Sequence, residues 1–261
     1  MQSPSFRTPV LLLMFLLLFS SLILSQEKPK DQLFYIHEEV AKIDRIDQYN
    51  SANTEFTQMM KDAKLDVPSI LASETDDLHF YYLVPLKNYA DIDKLSEAFS
   101  KMMASSDKDK MDKNMKAGAE ATEYTRELVF RRSGELSYSP NPAAKPDMSE
   151  KKFLHWDYYT YKPEDRKQVM DLGAKIKKLY EDKKIETPYT VWLADMGERN
   201  NLIVVTTMAK DAVSFYQQMD KDNKVLGKEM DDLWNQMLPM LEHFEHKNGH
   251  TRPDLSYIKS E

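Results

Sequence analysis

The sequence predicts an α+β protein made of two successive units, each running β-α-β-β-α-(α)-β. Three observations lead there. First, residues 189–208 (YTVWLADMGERNNLIVVTTM) set two runs rich in β-branched and aromatic residues around the polar stretch 196–201, a hairpin signature. A weaker twin spans 68–86, with its turn at 73–77. Second, Leu136-Ser137-Tyr138 recurs as Leu255-Ser256-Tyr257 at an offset of 119, where Met111-Asp112 also matches Met230-Asp231 and Glu123 matches Glu242. Third, Leu202-Ile203-Val204-Val205 and Phe80-Tyr81-Tyr82-Leu83-Val84 are apolar at successive positions, so both faces of those strands require cover.

Taken in order, the chain opens with Arg7 ahead of an apolar run over 10–24, relieved only by Ser20 and Ser21, and then the small residue Ser25. This reads as a secretory signal peptide over 1–25. The run is shorter than the ~20 residues of a bilayer-spanning helix, and no other segment is apolar enough to span, so no stable membrane insertion is expected after cleavage. The expected address is secreted, periplasmic if the source has two membranes. The mature chain then predicts a strand over 34–43 and an amphipathic helix over 50–64, with Phe56, Met59, Met60 and Ala63 on one face. After the first hairpin, Asp91 or Asp93 caps a helix carrying Leu95, Ala98, Phe99 and Met102. A further helix is predicted over 107–131, with Met111, Met115, Ala119, Tyr124 and Leu128 inward, and a short strand over 135–138 closes a first unit assigned to 32–139.

The proline-rich stretch SPNPAAKPDMS reads as a linker, taken as 140–150. The order then returns over 151–261. A strand is predicted over 153–161 and a helix over 163–182, with Pro163 in its first turn. The second hairpin is followed by helices over 210–219 and 224–246, and by a closing strand over 254–257. Right-handed crossovers would lay the helices of each unit on one face of a four-stranded antiparallel sheet. The other face would then be covered by the sheet of the other unit.

This arrangement resembles the dimeric α+β barrel group, whose tandem ferredoxin-like units close their sheets over a central cavity. The resemblance rests on element order and covers nearly all of the mature chain. It implies a pseudo-dimeric barrel, and a kinship with small monooxygenases, haem-degrading proteins and binding proteins. It carries no catalytic motif onto particular residues here.

Composition excludes several classes of chemistry. With no cysteine there are no disulfides, thiol nucleophiles or thiolate metal sites. A formal charge of −7 with Lys, Asp and Glu interspersed argues against nucleic acid as a partner. The six glycines form no GxGxxG or phosphate-cradling loop, and GxSxG is absent. No cofactor is called for.

Three groups remain as candidates. His37 and His155 occupy matching places on the first strand of each unit, and strand alternation sets His155, Asp157 and Tyr159 on one face. If that face looks into a cavity between the units, it offers a polar lining for a small apolar or aromatic ligand. His243 and His246, three apart on a predicted helix, could join His250 as metal ligands, against the simpler reading of helix-end histidines. The methionines and aromatic residues could line a pocket or fill a core. The expectation is a secreted, non-catalytic protein binding a small ligand between its two units. Alternatives are a cofactor-independent monooxygenase or haem-handling enzyme, and a protein-interaction module using the charged helices. Oligomeric state is not legible.

Overall fold

The structure is a computed structural model that describes residues 30–141 and 152–259. The stretch read as a signal peptide and most of the linker lie outside the described residues. Strands β1 (Gln32–Ala41), β2 (Leu71–Thr75), β3 (His79–Leu86) and β4 (Thr122–Arg132) alternate with helices α1 (Ile46–Asp62), α2 (Asp91–Ser105) and α3 (Lys108–Ala121). Strands β5 (Phe153–Tyr161), β6 (Thr190–Met196), β7 (Leu202–Ala209) and β8 (Leu241–Thr251) follow, with helices α4 (Arg166–Lys183) and α5 (Ala212–Met237) between them. The eight strands close into an antiparallel barrel in the cyclic order β1-β3-β2-β8-β5-β7-β6-β4. This is the mixed α+β barrel architecture expected from the sequence.

Helix starts follow local chemistry. The Asp107 carboxylate accepts from the Lys110 N–H at 2.9 Å to cap α3. Asp211 and Ser214 form a reciprocal capping box at the head of α5. Pro163 sits in the short 3₁₀ turn that leads into α4, where its missing N–H costs nothing. Helix α5 bends at Gly227, whose φ of 53° and ψ of −146° suit a residue without a Cβ. The two helices expected over 210–219 and 224–246 are therefore one kinked helix ending at Met237.

The largest correction concerns the ends of the two long predicted helices. Residues 122–131 and 241–246 are strands, not helix. Along β4 five successive residues, Glu123–Glu127, are exposed, and β8 is similarly polar, so neither shows an apolar alternation. What makes them strands is backbone pairing: β4 runs along β1 and meets β6 at Val129–Arg132, and β8 runs along β5 and meets β2 at Gly249–Thr251. Hydropathy does not register such pairing. The seam between β2 and β8 is tight: a Cβ on Gly249 would lie 1.9 Å from the Glu74 carbonyl oxygen.

Since β4 and β8 hold the positions assigned to the closing strands, residues 135–138 and 254–257 are turns, each making one bridge. Tyr138 pairs with Tyr189, and Tyr257 with Ile70. Ser137 Oγ accepts from the Val191 N–H and Ser256 Oγ from the Ala72 N–H, both at 2.9 Å. Tyr257 donates to the Leu65 carbonyl at 2.7 Å, and Tyr138 to that of Ile185. Each Leu-Ser-Tyr tripeptide thus straps its own half of the chain to the other half.

Side chains from both halves fill the barrel. Phe34, Ile36, Leu128 and Phe130 meet Leu154, Trp156 and Val204, and Phe34 packs edge-on against Trp192. At one end a fully buried Glu38 is neutralised by Arg126 (2.6 Å) and bonded to His79 (2.6 Å). The helices cover the outer face of the barrel, with one apolar layer under α1, α2 and α3 and another under α4 and α5.

Candidate functional site

The expected cavity between the two halves is replaced by the packed interior just described. The reason is volume: inward positions on β1, β4, β5 and β6 carry Phe, Trp and Leu, which meet across the barrel. Open space lies instead on the other side of the sheet, as one cleft beneath the helices of each half.

The first cleft holds about 500 Å³. Strand alternation turns Phe34, Ile36 and Glu38 into the barrel, so Tyr35, His37 and Glu39 face the cleft. Register places Glu127 on β4 directly opposite His37. Phe56 and Met60 of α1, Leu95, Phe99 and Met103 of α2 and Met115 of α3 supply the apolar wall. His37 Nδ1 lies 2.8 Å from Glu127 Oε1, and its Nε2 lies 3.2 Å from Glu39 Oε1. Tyr35 donates to the second oxygen of Glu127. Tyr49 donates to Glu39 at 2.5 Å and shares a hydrogen bond with Tyr82.

Burial opposes the charge on His37, but its hydrogen bonds to Glu127 and Glu39 outweigh that cost and raise its pKa to about 9. His37 is therefore an imidazolium at neutral pH. Burial likewise opposes ionisation of Glu127, yet His37 and Tyr35 hold its carboxyl below the usual range. Burial, reinforced by Glu127, pushes the Tyr35 phenol up.

The second cleft, of about 570 Å³, takes His155, Asp157 and Tyr159 from β5. His155 is buried and stacked on Phe215. Its Nδ1 lies 2.7 Å from Asn248 and its Nε2 3.1 Å from Asp157. Burial works against its charge, but the bonds to Asp157 and Asn248 prevail and raise its pKa. Tyr159 packs edge-on to Trp234 and stacks on Phe244. His37 and the group His155, Asp157 and Tyr159 thus line two separate clefts and do not meet.

The metal reading of His243, His246 and His250 is overturned. On a strand, residues three apart point to opposite faces, and residues four apart stand about 13 Å from each other. His246 stacks on His155, while His250 lies 3.7 Å from Glu74. Among the described residues no group of three His, Asp or Glu side chains is placed to hold a metal ion. Haem fits no better at the paired histidines. An iron ligand needs a free nitrogen lone pair, and both ring nitrogens of His37 and of His155 already face hydrogen-bond partners.

Glu39, Glu127 and Tyr35 are site residues that sequence reasoning missed. Glu127 was hidden inside the helix expected over 107–131. The signal that could have exposed it is Thr122-Glu123-Tyr124-Thr125, three β-branched or aromatic residues in four, which favour a strand.

No protein-family model and no curated protein matches the sequence. Solved structures do match by shape. A candidate monooxygenase of Lactobacillus acidophilus NCFM aligns at a TM-score of 0.53 and 9% identity, over 88% of this chain and 98% of the other. A candidate monooxygenase of Fusobacterium nucleatum subsp. nucleatum aligns at 0.52 and 15% identity, over 84% and 92%. An anthrone oxidase-like protein aligns at 0.58 and 8% identity, over 91% and 96%. These neighbours are dimeric α+β barrel proteins, and at such identities the likeness is one of fold alone.

Proposed function

We propose that the protein binds a small, largely aromatic molecule in the first cleft, with a hydroxyl or carbonyl end of that molecule set against Tyr35, His37 and Glu127. One observation carries this reading: Tyr35, His37 and Glu127 form one hydrogen-bonded cluster, with Glu39 bonded to it, in a concave space whose wall is largely apolar and whose other polar side chains are neutral Asn, Thr and Tyr. The test is calorimetric titration with 2-naphthol as probe. His37→Gln and Glu127→Gln should each weaken binding about tenfold, while His155→Gln, in the other cleft, should leave it unchanged. Equal affinity in all four proteins would sink the assignment.

A second reading, cofactor-independent oxidation of an anthrone-like or phenolic substrate, draws support from the His37 imidazolium and from the printed descriptions of the structural neighbours. The Glu127 carboxylate would take a proton from the substrate's methylene carbon, and His37 would stabilise the anion. Dioxygen would be the oxidant, one oxygen atom converting the methylene to a carbonyl and the other leaving as water. Oxygen uptake with anthrone, lost in His37→Gln, distinguishes this reading from binding alone.

Two broader points belong with the proposal. The two halves are read as duplicated ferredoxin-like units, on the support of the matching strand order and the two equivalent straps. A site of action outside the cytoplasm is part of the proposal, supported by Arg7, the apolar run over 10–24 and Ser25.

A further inference from the structure

The second cleft is the more aromatic and, like the first, has no Lys or Arg among its lining residues; Tyr159, Tyr180, Tyr189 and Trp234 line it. Its single basic side chain, His155, is already engaged by Asp157. Tyr180 and Tyr189 stand edge to face at 5.1 Å, and Tyr159 and Trp234 at 5.7 Å, so ring faces as well as edges are presented within one space.

Among these rings lies Asp222 of α5, only 7% exposed. Its oxygens receive one neutral donor each, the Thr187 hydroxyl at 2.5 Å and the Gln218 amide at 2.8 Å. Among the described residues no cation pairs with it. A buried carboxylate that is oriented but not neutralised is costly, and native proteins offset such a group with a counter-charge. The remaining partner it calls for is positive. Aromatic faces attract cations as well, most strongly where water is excluded. The apolar remainder of the cleft, including Val169, Ile203 and Met237, suits a hydrocarbon body rather than a hydrated ion.

We propose that this cleft is a second site, independent of the first, which takes a small organic cation: an alkylated or aromatic ammonium group seated among Tyr159, Tyr180, Tyr189 and Trp234 against the Asp222 carboxylate. A metal ion is disfavoured because Asp157 is committed to His155 and, although Glu186 also lines the cleft, no group of three His, Asp or Glu side chains among the described residues is placed to hold one. An anionic ligand would meet the Asp222 carboxylate, for which the lining offers no cation.

The experiment titrates the full mature chain with benzyltrimethylammonium and, separately, with its uncharged carbon isostere neopentylbenzene, following heat and tryptophan fluorescence. The charged probe should bind at least about tenfold more tightly. Asp222→Asn, with its circular dichroism and urea midpoint unchanged, should bring the two affinities level. Equal binding of the two probes by the wild-type protein, no binding of either, or a preference that survives in Asp222→Asn would each overturn the proposal. If Asp222→Asn fails to fold, the wild-type comparison decides by itself.

Discussion

Raising the pH from 6.5 to 9.5 removes the charge of His37 and with it the clamp between β1 and β4 at the first cleft. In the unfolded chain the imidazole titrates near its ordinary 6.5, and in the folded chain near 9. Because the folded value is the higher one, the stabilisation is fully present below 6.5 and is lost as pH rises through 9. A gap of about 2.5 pH units corresponds to at most about 3.4 kcal/mol, at about 1.36 kcal/mol per unit. The His37 side chain is 32% exposed and that of Glu127 54%, so solvent screens the pair and the realised loss is nearer 1–2 kcal/mol. Urea unfolding at half-unit pH steps should show this decline in the wild type and its absence in His37→Gln. The ring-proton NMR shifts of His37 should titrate near 9. A His37 midpoint at 6.5 or below, or equal pH slopes in the two proteins, would refute the imidazolium assignment.

Two further outcomes follow from the barrel itself. Gly249→Ala should lower stability by about 1–3 kcal/mol, since the new methyl meets the Glu74 carbonyl and the β2–β8 seam must open; an unchanged urea midpoint would contradict the register. Arg252→Leu should cost about 2–4 kcal/mol in thermal unfolding. Arg252 is largely buried over the Phe80 ring, and it joins Glu74 of β2, Asn50 of α1 and Asp254, leaving Glu74 short of a counter-charge once removed.

Much of the barrel was legible because burial writes itself into hydropathy. Strand β5 spans the residues expected for it, the hairpins follow from β-branched runs, and Pro163 marks the 3₁₀ turn ahead of α4; the N-cap of α2 is Ala90, without a side-chain capping bond, in place of the expected Asp91 or Asp93. Reading failed where backbone pairing, not burial, decides the conformation. Residues 123–127 and 242–246 have exposed side chains, while Met111, Met115, Ala119, Tyr124 and Leu128 continue a helical spacing past the true end of α3 at Ala121, which gave the wrong period. The site suffered accordingly. His37, His155, Asp157 and Tyr159 were singled out as sharing a cavity, but which face of the sheet is hollow depends on ring volumes meeting across the barrel. Asp222 falls between the helices expected over 210–219 and 224–246, and nothing local marks it, because the packing of α5 over Thr187 is set by contacts far apart in the chain.

The closure of the barrel is uneven, and that decides where this protein can meet others. Every strand has a hydrogen-bonded neighbour on both sides, but β4 meets β6 only at Val129–Arg132 and β8 meets β2 only at Gly249–Thr251. Among the described residues, the earlier part of each of these two strands is laddered on one side alone, to β1 and to β5, which is the kind of edge a strand from another chain can extend. The exposed charged side chains Glu123, Arg126 and Glu127 along β4 work against indiscriminate addition there.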